Sequence, residues 1–435
     1  DLALTKRLNR TVDMNIRLIL TLAVGFLVSA SVQAQYDLVT LRTKALAHSP
    51  LVSQKNLLMQ AESYALAGIH TGRLPKVQLS GQASYQSDVT KVSLSVPGIT
   101  IPTPDKDQYR AVLEVSQVLY DGGAVKRQSN LQSAQFQTQR AQLDVERDRV
   151  VERVNQVYFQ ILMLDAQNNV LTLAKEELNR KHSQMEGMLR NGVGNPVSLD
   201  VLRTEDIRLN QRIIELAWQR KTAVSVLGIL VGESIPENTG FDLPVPPKLP
   251  GVHMHNRTED RVFSAQATAF QLQQAVLSVK VLPKVQAYAQ GGYGQPGLNM
   301  FKSGFQPFGM VGLRFNWTLW DFNATRYERK VVAVQAEMVA RNRDLFQQNW
   351  TIQTKQLQNE IARYDALLAQ DEALIGLRSK IRQTLSVQLT EGVVTANEYL
   401  TELNNETQAK ENKALREIQR LQALINYEHA LGTSY

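Results

Sequence analysis

The sequence contains no cysteine, and this absence excludes several kinds of chemistry. Without cysteine there is no disulfide, no thiolate metal site and no thiol nucleophile. The lipid-accepting cysteine that marks a lipoprotein is missing as well. Aromatic residues are only 7% of the chain and hydrophobic residues 43%, which is little material for large packed cores. The composition instead favours long helices that bury a narrow apolar seam.

A strong charge of one sign is also absent. The chain has 48 Lys and Arg against 41 Asp and Glu, a net charge of +7, and the two signs are interleaved along the sequence. Interleaved charges are typical of solvated helix faces rather than of a nucleic-acid-binding patch. We therefore expect no nucleic-acid partner.

Long apolar runs are scarce, and the one that occurs extends from Leu18 to Val28. It is shorter than the ~20 residues that a membrane-spanning helix requires. A positive flank precedes it and small residues follow, which predicts a secretory signal peptide cleaved between Ala34 and Gln35. Residues 1–34 are accordingly interpreted as an upstream segment and signal peptide, and the protein as exported.

The chain repeats itself at an offset of about 200 residues. The phrase LPKVQLSGQASY at residues 74–85 returns as LPKVQAYAQGGY at residues 282–293. The tripeptide LYD that ends at Asp121 returns as LWD ending at Asp321. Several weak matches in one order and at a nearly constant offset predict the duplication of a whole domain.

Each copy is predicted to contain a leading helix, a β-hairpin, a very long helix, a turn and a second helix. Prolines end the leading helices, and segments rich in Gly and Pro join the strands. The predicted ranges are 35–232 for the first repeat, with a β-hairpin at 76–120 and a helical hairpin at 124–231; 233–257 for a linker; and 258–435 for the second repeat, with a β-hairpin at 284–320 and a helical hairpin at 323–432.

The long helices are predicted from apolar residues at every seventh position. In the first repeat this series consists of Leu143, Val150, Val157, Leu164, Leu171, Leu178 and Met185. A seven-residue period is typical of a coiled-coil seam. A helix from Val125 to Arg190 would be about 100 Å long.

The strands are predicted from an alternation of apolar and polar residues, which runs over 77–86 and again from Val311 to Leu319. A period of two with one apolar and one polar face indicates a β-strand. Strands of around ten residues with one apolar face are suited to cross a membrane. Inside a bilayer every backbone N–H and C=O group must be paired, so an open sheet of four such strands cannot lie there. We expect other copies of the chain to complete the sheet, two copies giving eight strands and three copies giving twelve.

Taken together, these features resemble the TolC family of outer-membrane efflux proteins over nearly the whole mature chain. The resemblance rests on the ordered set of LPK phrase, hairpin, LYD or LWD phrase, long helix and glycine-containing tip. It implies an α+β membrane protein with a duplicated repeat of helix, β-hairpin, long helix and helix. Three copies would form a twelve-stranded β-barrel in the outer membrane of a Gram-negative bacterium. A long α-helical barrel would continue it through the periplasm.

The family resemblance also implies a function and partners. The homotrimer would be the passive exit duct of a tripartite efflux pump or of a type I secretion system, exporting drugs, other small molecules or proteins. Its partners would be outer-membrane lipid, a periplasmic adaptor (membrane fusion protein) and an inner-membrane transporter of the RND or ABC type.

Functional positions are implied at the turns between the long helices and their partners. With Gly192 and Gly392 as anchors, the family's pore-facing acids at the periplasmic entrance correspond to Asp200 and Glu398, while a further family acid is Thr401 here. The adaptor-contacting tips would be Gly192, Gly194, Gly392 and Val393. The residues alone leave a second interpretation open, because a carboxylate near a helix N-terminus is stabilising there in any case.

No catalytic constellation, metal site or cofactor site is expected, and the chain is predicted not to be an enzyme. His253 and His255 lie in the linker without cysteine or a helical His pair nearby, which is a weak metal signal. The phrases NGVGN and GGYG lack the Lys-Ser/Thr of a phosphate-binding loop.

Two other kinds of protein share some of these features. The alternative is a coiled-coil structural or adhesive envelope protein without transport activity, but paired hairpins with an aromatic apolar face are not needed in a filament. A periplasmic adaptor is disfavoured by the duplication.

Overall fold

A computed structural model describes residues 36–90, 103–247, 257–300, 302 and 304–432 of the chain. The predicted signal peptide, with its cleavage point between Ala34 and Gln35, lies outside these residues. Among the described helices, none combines the length and the apolar character needed to cross a membrane.

The described chain contains two similar series of helices and strands. In chain order they are α1 Leu38–His48, α2 Leu51–His70, β1 Lys76–Tyr85, β2 Asp107–Tyr120, α3 Ala124–Arg190, α4 Pro196–Val231, α5 Thr258–Ser278, β3 Lys284–Gln295, β4 Gln306–Asn316, α6 Ala324–Thr390 and α7 Ala396–Ala430. This order confirms the predicted α+β fold class with its repeated helix, hairpin, long helix and helix.

The helices α3 and α6 each contain 67 residues. Six of the seven heptad positions predicted in α3 are buried: Leu143, Val157, Leu164, Leu171, Leu178 and Met185. The seventh, Val150, is partly buried. Side chains seven residues apart lie on one face of a helix, so their joint burial confirms the predicted seam.

Each long helix begins just after the repeated LYD or LWD tripeptide, and the aspartate explains the repetition. Asp121 accepts hydrogen bonds from the backbone N–H groups of Gly123 at 2.7 Å and Val125 at 2.8 Å. Asp321 accepts one from the N–H of Thr325 at 3.0 Å. The first N–H groups of a helix have no partner within the helix, so a carboxylate at this place stabilises the helix start.

The four strands form one antiparallel sheet in the order β1-β2-β3-β4. Their register brings the apolar positions of all four strands to one side, which we call the apolar face. Its apolar positions are Val77, Leu79, Gly81, Ala83 and Tyr85; Tyr109, Ala111, Leu113 and Val115; Val285, Ala287, Ala289, Gly291 and Tyr293; and Pro307, Gly309, Val311, Leu313 and Phe315. Three polar residues, Asp107, Gln117 and Gln295, lie on the same face near the strand ends. This face is open in the single chain, since Val311 is 81% exposed and Leu79 74%. The opposite side is called the polar face.

The last strand is shorter than the alternation predicted. β4 ends at Asn316 rather than at Leu319, because Asn316 pairs with Lys284, the first residue of β3. Just beyond this pair, the indole N–H of Trp317 donates to the backbone carbonyl of Val281 at 3.0 Å. The alternating pattern therefore continues past the point where a partner strand is available.

By packing, the described residues form two compact units, each built from both halves of the chain. One unit contains residues 36–48, 153–245 and 375–418, and the other contains the remaining described residues. The first unit holds the turns that join α3 to α4 and α6 to α7. The second holds the sheet and the starts of the long helices.

Candidate functional site

The two turns between paired helices have the same backbone structure. Gly192 follows α3 with φ 76°, and Gly392 follows α6 with φ 75°, a conformation that glycine adopts at little cost. In each turn the glycine N–H bonds the carbonyl three residues earlier, and the next N–H bonds the carbonyl five residues earlier, at 2.8–3.2 Å. This Schellman motif satisfies the last helix carbonyls and reverses the chain.

The turns expose apolar side chains at their tips, with Val193 75% exposed and Val393 67% exposed. A Cβ atom at Gly194 would lie 2.7 Å from the backbone nitrogen of Leu189, so the first turn closes only around a glycine. Gly194, Gly392 and Val393 border one groove of about 390 Å³, together with Val193, the neighbour of Gly192. The structure thus brings three of the four predicted tip residues to one groove, and Gly192 precedes a fourth lining residue.

The predicted entrance residue Glu398 takes part in a helix cap. It is the third residue of α7, and its carboxylate accepts the backbone N–H of Thr395 at 2.7 Å, while Oγ1 of Thr395 accepts the N–H of Glu398 at 3.3 Å. This reciprocal arrangement is a capping box. The hydrogen bonds from the backbone and the hydroxyl of Thr395 lower the pKa of the Glu398 carboxyl, which stays exposed. A helix-start role for Glu398 is therefore present in the structure.

Asp200 does not occupy the matching position. It is the fifth residue of α4, whereas Glu398 is the third of α7, and both helices begin four residues after the tip glycine. The structural counterpart of Glu398 is Ser198. Positions two residues apart lie about 200° apart around a helix, so the two acids lie on different faces of their helices. Thr401, in place of a further acid, donates to the carbonyl of Asn397 at 2.8 Å.

The first unit also contains a buried ion network that the sequence reasoning missed. Arg382 of α6 binds Glu406 of α7, and its Nη1 lies 2.7 Å from Oε1 of Glu177 of α3. Lys410 Nζ reaches Glu406 at 2.8 Å. Burial raises the pKa of Glu406, but Lys410 and Arg382 outweigh burial and lower it overall. The available sequence signal was the spacing of Glu402, Glu406 and Lys410, which lie four residues apart on α7.

Lys181 of α3 connects the two halves of the chain next to the tips. It is only 4% exposed, and its ammonium donates to Oγ1 of Thr390 at 2.7 Å and to the carbonyl of Ser386, both close to the C-terminal end of α6. The same ammonium lies 5.7 Å from the ring centre of Tyr399. Burial lowers the pKa of Lys181, and Glu177 offsets this only in part. A cation is favoured at a helix C-terminus, so Lys181 acts as a cap from a neighbouring helix.

A further buried carboxylate on α7 faces α4. Oε2 of Glu411 lies 3.0 Å from Nη2 of Arg212, and Glu411 is 1% exposed. Burial raises the pKa of Glu411, and the attraction of Arg212 reverses this only in part. The pair therefore keeps a charge inside the helix packing at a cost in solvation.

Within the part of the chain that the structure describes, no group of three or more His, Asp or Glu side chains is placed to hold a metal ion. The segment with His253 and His255 lies outside the described residues. The chemistry of the tip region, as described, consists of helix caps, ion pairs and exposed apolar side chains.

Comparison with known proteins gives a family match for part of the chain and a fold for nearly all of it. Residues 41–233 match the family described as outer membrane efflux protein. No curated protein matches the sequence. The fold is similar to that of CusC, a protein described for transmembrane channel formation. The superposition covers 92% of this chain and 93% of CusC, with 14% sequence identity and a TM-score of 0.73.

Two further solved structures share the fold over both halves of the chain. The outer membrane protein VceC from Vibrio cholerae is 16% identical, with 91% of this chain and 96% of that chain covered and a TM-score of 0.67. The open state of the MtrE outer membrane channel from Neisseria gonorrhoeae is 15% identical, with 91% and 88% covered and a TM-score of 0.67. Residues 41–233 thus match the outer membrane efflux protein family, and the fold over both halves of the chain is similar to that of solved outer membrane channels.

Proposed function

We propose that this protein is an outer membrane efflux protein that works as a homotrimeric channel, the passive exit duct of a tripartite efflux pump or type I secretion system. The observation that supports this proposal is the four-stranded sheet of the described chain, with its apolar face and its two unpaired edges. Its apolar face holds a single charge, Asp107 at the start of β2. Its two edges, β1 and β4, have no partner strand among the described residues.

An open edge is incompatible with the interior of a bilayer. Each unpaired N–H or C=O group there costs several kcal/mol. Pairing β4 of one copy with β1 of the next removes both edges. Eight strands from two copies would enclose only side chains, whereas twelve strands from three copies leave room for a water-filled lumen. The apolar face then contacts lipid and the polar face lines the lumen.

The helical parts of the proposed duct extend into the periplasm. The repeats 35–232 and 258–435 each supply one β-hairpin and one helical hairpin. The exposed apolar side chains at the tip turns suit contact with a periplasmic adaptor, which an inner-membrane transporter of the RND or ABC type would join. Asp200 and Glu398 lie exposed close to these turns, and we propose that they contribute negative charge to the entrance. No chemical step is assigned to the duct.

The trimer can be tested with disulfides, because the chain has no cysteine of its own. Three strand spacings separate β1 from β4, so within one copy their Cα atoms are about 14 Å apart. A disulfide requires less than about 7 Å. A bond between a cysteine in β1 and one in β4 therefore forms only between two copies.

The experiment combines Gln82→Cys with Phe308→Cys, Met310→Cys or Arg314→Cys in turn, all on the polar face. Oxidation of outer-membrane fractions should give a covalent ladder that ends at three copies for at least one pair. Gln82→Cys with Val311→Cys is the control, since these side chains lie on opposite faces and should not link. A ladder that ends at two copies, or linking of the control alone, would overturn the proposal.

A further inference from the structure

The polar face of the sheet carries an excess of positive charge. The register places five charged side chains on this face: Lys76, Arg110, Glu114, Lys284 and Arg314. Four are basic and one is acidic, so the net charge is +3 per copy. Lys76 and Lys284 come from the repeated LPK phrase, so each repeat brings one of them to the start of a strand.

The two arginines are held against the sheet by aromatic rings. The guanidinium of Arg110 lies 5.5 Å from the ring centre of Phe308, and that of Arg314 lies 4.9 Å from the ring centre of Tyr288. Stacking on a ring positions a guanidinium and leaves its N–H groups free to bind an anion. Nη1 of Arg314 also lies 3.7 Å from Oε1 of Glu114, and the arginine side chain is 44% exposed. The two guanidinium groups are thus positioned by packing against aromatic rings, and that of Arg314 remains partly exposed to solvent.

We infer that the polar face makes the exit end of the channel selective for anions. The inference rests on the proposed function, in which this face lines the lumen of a barrel of three copies. The lumen would then carry twelve basic and three acidic side chains from the sheet. Fixed charges along a cleft with low-dielectric walls raise the local concentration of counter-ions, and Lys and Arg linings select anions in pores. The favoured solutes are small molecules that carry carboxylate, phosphate or sulfonate groups.

The test measures ion selectivity of single trimers in planar bilayers under a KCl gradient. In the double variant Arg110→Gln, Arg314→Gln the ratio of chloride to potassium permeability should fall severalfold relative to wild type. In Glu114→Gln the ratio should rise, which makes this variant a control of opposite sign at the same place. Both effects should shrink at 1 M salt, where charges are screened beyond about 3 Å. Lys76→Gln, Lys284→Gln is a second double variant that tests the same lining if the arginine variant does not assemble.

A side-specific measurement separates the exit from the entrance. Inorganic tripolyphosphate added on the extracellular side should block wild-type channels, and the block should weaken severalfold in the arginine double variant. Conducting trimers with unchanged selectivity and unchanged block in both double variants would overturn the inference and leave the proposed function intact. A wild-type protein that forms neither trimers nor conducting channels would overturn both.

Discussion

Val311→Arg is expected to prevent assembly of the channel, whereas Met310→Arg, one residue earlier, should be tolerated. Val311 is the sixth of the eleven residues of β4 and lies on the apolar face opposite Ala289. Met310 lies on the polar face opposite Gln290, whose side chain binds Glu114. The two variants place the same charge on the same strand and differ only in the face that carries it.

The expected cost follows from the place of Val311 in the middle of its strand. An arginine at the bilayer midplane of a membrane barrel costs about 2–4 kcal/mol. A trimer contains three copies of the change, so the total is about 6–12 kcal/mol. A typical folded domain is stable by only about 5–15 kcal/mol, so most Val311→Arg trimers should be lost. In the proposed barrel, Met310→Arg places its charge on the side of the aqueous lumen that also carries Glu114, and it should cost little.

The measurement is the yield of heat-sensitive trimer in outer-membrane fractions on unheated detergent gels. The urea midpoint of purified protein in lipid vesicles then gives the change in stability. Val311→Leu, which keeps the apolar character, is the matched control and should assemble like wild type. Equal trimer yields from Val311→Arg and Met310→Arg would refute the assignment of the apolar face to lipid. Loss of trimer in Met310→Arg alone would show that the two faces are reversed.

Two further predictions concern carboxylates of α7. Glu398→Gln keeps the capping-box acceptor and removes the charge, whereas Glu398→Ala removes both. Both variants should weaken the block of the channel by a trivalent cation added from the periplasmic side. Only Glu398→Ala should speed amide hydrogen exchange at the start of α7. Unchanged block in both would reduce Glu398 to a helix cap. Because the pKa of Glu411 is raised above its ordinary value of 4.5, Glu411 stabilises the fold at pH values below 4.5. This stabilisation is lost as the pH rises through the pKa of the folded state. Glu411→Gln should therefore raise the urea midpoint of unfolding at neutral pH and leave it unchanged well below pH 4.5. A lower midpoint at neutral pH would show that the ion pair with Arg212 is stabilising overall.

Features that depend on chain-local physics could be predicted from the sequence. Alternation with a period of two determines which side chains share a face of a strand, and Val311 lies on the apolar face as predicted. The seven-residue period determines the buried seam of α3 in the same way. Gly192 and Gly392 mark the helix ends because a Schellman turn requires positive φ.

Other features depend on which segments meet, and the sequence alone did not reveal them. The end of β4 at Asn316 is determined by where β3 begins, not by the alternation of β4 itself. The capping box of Glu398 depends on where α7 begins, because Glu398 is the third residue of that helix and bonds the N–H of Thr395 just before it. Periodicity predicts a face but leaves the partner and the first residue of an element open.

The charge clusters depended most on the tertiary structure. Glu177, Arg382 and Glu406 come from three different helices, and nothing in their sequence spacing predicts that Arg382 bonds both carboxylates. The pair of Glu114 and Arg314 likewise exists only because β2 and β4 flank β3 in one sheet. The sequence by itself determined the elements and their faces, since these follow from local backbone geometry. The tertiary structure decided which charges meet, because electrostatic interaction depends on distance in space and is independent of distance along the chain.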